Sequence, residues 1–387
     1  MRAAAIVEAY QAAGHEVRWA GIYAPGASGL DEVWPSDIAL SGEVEEVYRK
    51  FPSEKLRSEM TWWSAVASAP NSFAALVDAV RSARPDLLQF EEIALWPAVK
   101  RLKREGHLEG VTIVHSSYNF ETTAWRHRST FGVDVTRETL IDIAEIERDI
   151  AAECELVVTV SEGDAQEFRE LGAKNVRVAP NGVNLARRLA TSSISAYMPA
   201  GFPYALFVSS AHPPNAHGIV DLAAGVSGHP LRHGDIVVCG KVGALMQADP
   251  QFRKAARVLD RCRFLGWVDD AALSMLYQDA RVVILPKMYS GGSNLKTAEA
   301  LASGRPIIAT RLAFEGFEPW IDLPNIAIAD DPDEFWKLVD HYLAIDQGKP
   351  SRPLDSVEGL QWKNCLRPMI HAAESAFAQC EMRRLAG

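Results

Sequence analysis

Short, mostly apolar runs recur along the second half of the chain, and each stops at a Gly, a Pro or a small polar residue before a helical stretch begins. They are Ala205–Ser209, Asp235–Cys239, Cys262–Leu265, Val282–Leu285 and Pro306–Thr310. A strand that is apolar at nearly every position has no face to give to water. It must be covered on both sides, which is the situation of a parallel sheet with helices packed on each face. The first half has the same rhythm. Leu87–Phe90, Val111–His115, Leu156–Val160 and Val176–Ala179 read as strands, and Ser72–Ala83, Ala94–Arg104 and Glu138–Cys154 as helices. At the front, Arg2–Ala13 reads as a helix stopped by Gly14, followed by a strand-like Val17–Tyr23. A stretch rich in Ser, Ala and Pro, Ala186–Pro203, reads as a linker, and Gln361–Ala378 as a closing helix. The pattern predicts an α/β chain of two doubly wound domains, residues 1–185 and 200–360, with a terminal helix in 361–387. A length of 387 residues accommodates two such cores.

Composition narrows the function classes. Hydrophobic residues make up 48% and charged residues 23%, enough apolar material for two cores. A formal net charge of −10 argues against a nucleic-acid partner, because phosphate neutralisation needs a basic face. The five cysteines, Cys154, Cys239, Cys262, Cys365 and Cys380, include no CxxC pair and read as reduced thiols, which points to a cytoplasmic setting. No apolar run approaches the roughly 20 residues that span a bilayer. The first residues read as an amphipathic helix and not as a signal peptide.

In doubly wound sheets ligands bind outside the carboxyl ends of the strands. Here those ends read Cys239-Gly240-Lys241, Leu265-Gly266-Trp267 and Pro286 to Ser293. The last is the most informative. Gly291-Gly292-Ser293 follows a strand, and a helix starts near Asn294 and Leu295. Glycines allow close backbone approach, Ser293 suits an N-cap, and the free N–H groups of the helix start favour an anion. Lys296 stands in the first turn, where the helix dipole disfavours a cation. A bound diphosphate would account for it. Glu299, three residues on, shares that helix face and can accept hydrogen bonds from ribose hydroxyls. The plain alternative is a glycine turn capping a core helix, with Lys296 and Glu299 a surface pair worth about 0.2–0.5 kcal/mol.

The segment from Pro286 to Thr310 resembles the donor site of retaining GT-B glycosyltransferases, the group called family 4. Four further blocks match in order: Ser161–Val183, Leu206–Ile219, Arg263–Pro286 and Trp362–Met369. The resemblance covers most of residues 100 to 370. It implies two Rossmann-like domains facing a central cleft, with the terminal helix crossing back to the first. It also implies transfer of a hexose from a nucleotide diphosphate sugar to a hydroxyl of a glycan, lipid-linked or small-molecule acceptor, with retention of configuration and neither metal nor cofactor. The family's two glutamates flanking seven residues fall on Gly291 and Glu299. The loop Ser209–Gly218 lacks the basic residues common there, so phosphate neutralisation falls on Lys296, the helix and loop N–H groups, and Lys241. The backbone from Arg263 through Gly266 to Trp267 would hold the base, and the Asn181-Gly182 turn marks the crossover between domains. His115, at the end of the Val111–His115 strand, and Glu121 beyond it resemble the segment in which a His or acidic residue faces the sugar, there to hydrogen-bond the donor sugar or to help the acceptor hydroxyl lose its proton. Relatives open with a central strand and a Gly-rich loop. This chain begins within the following helix, so a first strand is expected to be missing, through a late recorded start or a truncation.

Other features carry plainer readings. Asp331-Pro332-Asp333 has DxD spacing but lies in an acidic stretch past the last strand. Lys100-Arg101-Leu102-Lys103-Arg104 is a basic helix face that offers peripheral contact with anionic lipid at the inner face of a membrane, or is a solvated surface. His212, His217, His229 and His233 lack metal-ligand spacing. Two other functions fit the fold: a nucleotide-sugar epimerase, which would need an acid/base pair, and a non-catalytic GT-B-like subunit.

Overall fold

The structure is a computed structural model that describes residues 2–25, 36–130, 135–185, 199, 201–228, 231–289, 295–345 and 354–386. The chain divides into two compact units, Met1–Ala179 with Leu366–Gly387, and Pro180–Cys365. The closing helix, Trp362–Ala386, begins in the second unit and continues in the first.

The first unit holds a parallel pair, β1 (Ile22–Tyr23) and β2 (Ile38–Ala39), and a parallel four-stranded sheet. The sheet runs in chain order: β3 (Leu87–Phe90), β4 (Thr112–Ser116), β5 (Leu156–Thr159) and β6 (Val176–Val178). Every residue of β4 and β5 is buried, which is why they read as unbroken runs. The helix Arg137–Glu153 starts at Thr136, whose side chain accepts the Thr139 N–H, and buries Ile143 and Ile150 against the sheet. Of the strand-like Val17–Tyr23 only Ile22–Tyr23 pairs. Among the described residues β3 is an edge strand. A cavity of about 1230 Å³ in this unit is lined by residues of β3 and by the segment 15–22.

The second unit is one six-stranded parallel sheet. Its strands are β7 (Tyr204–Val208), β8 (Asp235–Cys239), β9 (Cys262–Gly266), β10 (Val282–Leu285), β11 (Ile307–Ala309) and β12 (Ile326–Ile328), in the order β12-β11-β10-β7-β8-β9. From β7 the chain winds outward to β9, then returns to the other side of β7 with β10. The strand order therefore reverses between β7 and β10, the position where doubly wound sheets take ligands. Two cores result. Tyr204, Leu206, Val283 and Leu285 feed one face, and Ala205, Phe207, Val282 and Ile284 the other. Each buried aliphatic side chain contributes about 1.5–3 kcal/mol of burial. The expected linker lies largely outside the described residues, as does His229.

Three readings resolve into structural roles. Asp331 caps the helix Pro332–Ala344 by accepting the Glu334 N–H, and Asp333 accepts from the Ser227 N–H at 3.0 Å. His217 pairs with Asp249 at 2.5 Å, and His233 with Asp340 at 3.1 Å. On the basic helix, Lys100 meets Asp149 at 2.5 Å, Lys103 meets Glu153 at 3.1 Å, and Arg101 meets Glu105 at 2.8 Å. That face therefore carries less bare positive charge than its residues alone suggest. Among the described residues no helix is long and apolar enough to cross a membrane.

Candidate functional site

The switch point is built by two strand ends and two helix starts. β7 runs into Ser209 and Ser210, and the helix Pro213–Ala224 follows with prolines in its first turn, where a missing N–H costs nothing. β10 ends at Leu285, and the helix Leu295–Ser303 follows. Its face with Thr297, Ala298 and Leu301 is buried, and Thr297 Oγ1 donates to the Ala313 carbonyl at 2.6 Å. That anchoring aims Lys296 back across the switch point. Lys296 Nζ donates to Asn215 Oδ1 at 2.6 Å and to Ser209 Oγ at 3.2 Å, and lies 5.9 Å from the centroid of the Phe207 ring.

Lys296 keeps some exposed surface, but its ammonium is enclosed. Burial, with the charge of Lys287 nearby, pulls its pKa down to about 7. Lys287 is itself paired with Glu315 at 2.7 Å. Among the described residues the partners of Lys296 are two neutral oxygens, and no carboxylate pairs with it. An ammonium so placed, in a helix first turn, has charge and hydrogen-bonding capacity to offer an anion.

Other sequence-predicted donor residues share the carboxyl edge of the same sheet. Glu299 Oε2 accepts from the hydroxyl of Tyr277 at 3.2 Å, and Tyr277 is buried, so its phenol is held far above its usual range. Lys241 is exposed at the end of β8, as N-cap of the helix Val242–Ala248. Gly266 closes β9 with φ of +67°, a conformation that favours glycine, and its carbonyl accepts the Gly240 N–H at 2.7 Å. Trp267 follows with 75% of its surface exposed, a cost in water that a stacked ring would remove. Leu295 opens the Lys296 helix. Gly291, Gly292, Ser293 and Asn294 lie outside the described residues. Asn181 is buried where the second unit begins, with the Cys365 thiol directed at its carbonyl at 3.8 Å.

In the first unit one expectation is corrected. His115, read as a group facing a sugar, lies within β4 with no exposed surface. Its ring stacks on Phe90 at 4.6 Å and meets Phe168 edge-on at 6.1 Å. Burial pulls its pKa down to about 3, so it is neutral at physiological pH and packs as a core aromatic. It sits inside the strand, whereas ligand-facing groups lie beyond strand ends.

Glu121 does lie beyond that end. It opens the helix Glu121–Thr130 and accepts from Asn119 Nδ2 at 3.1 Å and Trp125 Nε1 at 3.0 Å. Beneath it, buried Glu147 accepts the Glu121 N–H at 2.6 Å and helps satisfy the start of the helix. Glu121 lines the cavity together with Glu91, Glu92, Tyr118 and Trp125. Burial pushes the Glu121 carboxyl up, and burial with the charges of Glu121 and Glu91 pushes Glu92 up to about 7. Sequence reasoning passed over Glu91 and Glu92, although they directly follow a predicted strand, and it passed over Ser209, Asn215 and Tyr277.

Comparison with known proteins agrees with this architecture. A family model described as Glycosyltransferase Family 4 matches residues 2–187, and one described as Glycosyl transferases group 1 matches residues 202–344. The O-antigen chain mannosyltransferase B of Escherichia coli is 28% identical over 120 residues, a stretch that spans 28% of this chain and 29% of that relative's length. Sucrose-phosphate synthase from Thermosynechococcus elongatus superposes with a TM-score of 0.58 at 18% identity, covering 98% of this chain and 90% of its own. Anabaena HepE in complex with UDP and glucose gives 0.58 at 14% identity, covering 100% and 94%. A glycosyltransferase from Rickettsia africae gives 0.56 at 13%, covering 95% and 96%. At these identities the structural likeness speaks for the fold, which is GT-B, with two Rossmann-like units. With both halves matched by its models and the fold in agreement, the chain belongs to the group 1, family 4 glycosyltransferases.

Proposed function

We propose that this chain transfers a hexose from a nucleotide diphosphate sugar to a hydroxyl of a glycan, a lipid-linked glycan or a small molecule, with retention of configuration. The observation that carries the reading is Lys296: an enclosed ammonium at the switch point, in the first turn of a helix, held by two neutral oxygens. A diphosphate gains negative charge as the glycosidic bond breaks. A cation and helix N–H groups already in place stabilise that charge more in the transition state than in the ground state. Glu299, steadied by Tyr277, would accept the ribose hydroxyls, and Gly266 with the exposed Trp267 would receive the base. In the first unit the cavity with Glu92, Glu121 and Trp125 is the proposed seat of the acceptor, its raised carboxyls suited to hydrogen-bonding hydroxyls. HepE, with its bound UDP and glucose, and a mannosyltransferase relative support the donor class.

Lys296→Ala should lower turnover at least about tenfold, the scale of one charge-assisted hydrogen bond. Its circular dichroism should stay that of the parent. The donor is chosen by thermal-shift screening over UDP, GDP and ADP and their sugars. Unchanged turnover in a folded variant would remove Lys296 from the mechanism.

A further inference from the structure

The loop from Ser209 to Pro214 offers the switch point no Lys or Arg, yet it is where Lys296 is tethered. The third residue of the following helix, Asn215, makes the shorter of the two contacts. The orientation of its amide is determined by the surroundings. Nδ2 donates to the Ser210 carbonyl at 3.4 Å and lies 3.5 Å from Ser210 Oγ, which turns Oδ1 towards the ammonium. An ammonium has only donors, so the oxygen must face it. The helix that carries Asn215 is itself closely seated. One turn on, Gly218 lies so near the Pro286 carbonyl, just past β10, that a Cβ there would collide with it. Asn215 is therefore held against the strand end from which the Lys296 segment departs.

We propose that Asn215 is a positioning residue for donor binding: its amide oxygen, with Ser209 Oγ, fixes the Lys296 ammonium at the carboxyl end of β7, and so fixes where a donor diphosphate is bound. The inference rests on the donor-site reading above and adds to it. Lysine is a long, flexible point charge, and holding it before the ligand arrives reduces the ordering cost of binding. The neutrality of the tether matters as much as its position. A carboxylate at the same place would pair with Lys296 in the empty site, and an incoming diphosphate would have to compete with it. An amide holds the ammonium while leaving its charge unmatched.

The near-isosteric Asn215→Asp separates this role from a purely structural one. UDP, GDP and ADP binding is measured by calorimetry on the full chain for the parent, N215A, N215D, K296M and the double variant N215A/K296M, with melting curves as the fold control. The nucleotide that the parent binds best is then followed. N215A should weaken binding roughly tenfold, and N215D at least as much, although the carboxylate retains a hydrogen bond to lysine. The donor KM should rise more than kcat falls. In the K296M background, N215A should have little further effect, because the tethered group is gone. Parent-like binding by N215D and N215A, with K296M still impaired, would overturn the positioning role and leave the donor site standing. If K296M binds like the parent, or if the parent binds none of the three, the donor-site reading itself fails, and this inference with it. Should N215A not fold, N215D alone decides.

Discussion

At the scale of single residues, what matters at the site is the mismatch between a group and its surroundings. Lys296 is a base whose pKa is pulled down to about 7 because its ammonium is enclosed and Lys287 stands nearby, and among the described residues no carboxylate pairs with it. A bound diphosphate supplies a counter-ion, so binding must take up a proton whenever the lysine starts neutral. Affinity for a nucleotide diphosphate sugar should be flat below about pH 7 and fall by up to about tenfold per unit above it. Titration calorimetry in buffers of different ionisation enthalpy reads the proton uptake directly, and K296M should abolish it. The empty protein carries the opposite sign. Enclosing the charged lysine costs stability in full below about pH 7, and the cost is relieved as pH rises from there towards 10.5, where the unfolded lysine also loses its proton. K296M should therefore melt above the parent at pH 6, by a margin that narrows as pH rises. A constant margin would count against the buried-cation account. His115 shows the converse case: its pKa is pushed down just as clearly, but the ring is closed in by Phe90 and Phe168, so the shift reports packing.

At the scale of elements, the site depends on how closely one helix approaches one strand end. The helix Pro213–Ala224 can bring Asn215 to Lys296 because Gly218 lets it seat on the Pro286 carbonyl. Gly218→Ala forces those two backbones apart. It should destabilise the fold by about 1–3 kcal/mol, the usual scale of overpacking, and weaken nucleotide binding although it touches no ligand. Chemical denaturation and calorimetry measure the two effects. A variant as stable as the parent would show that the helix tolerates the shift. The strands themselves follow from simpler logic. Alternate residues of β7 and β10 feed the two cores of the second unit, so neither strand has a face that could be polar.

At the scale of the molecule, each unit has its own sheet and core, but the chain does not divide at one point. From Leu366 on, the closing helix belongs to the first unit, and its Met369, Ile370, Ala373 and Ala376 are buried. Truncation after Cys365 should lower the melting of the first unit by several degrees and leave the second unit's transition in place. Differential scanning calorimetry resolves the two. A single transition lowered as a whole would show that the units unfold together. The net charge of −10 is likewise a property of the whole molecule: Asp149, Glu153 and Glu105 meet the basic residues of the helix Trp96–Arg104. The two units contribute different chemistry to the proposed reaction, an enclosed cation in one and raised carboxyls in the other.

What the sequence determined by itself was local and periodic. Continuous apolar runs at fixed intervals require a parallel α/β sheet, and a lysine and a glutamate three residues apart in one helix lie on one face whatever surrounds them. Burial and partnership were left to the tertiary structure. Ser209, Asn215 and Tyr277 reach Lys296 and Glu299 from 22 to 87 residues away. His115 lies in the core because Phe90 and Phe168 close over it. A residue's conformation is largely set by its neighbours in the chain, but its charge state and its ligands are set by whichever distant groups the fold brings within a few ångströms, and no local pattern in the sequence records those meetings.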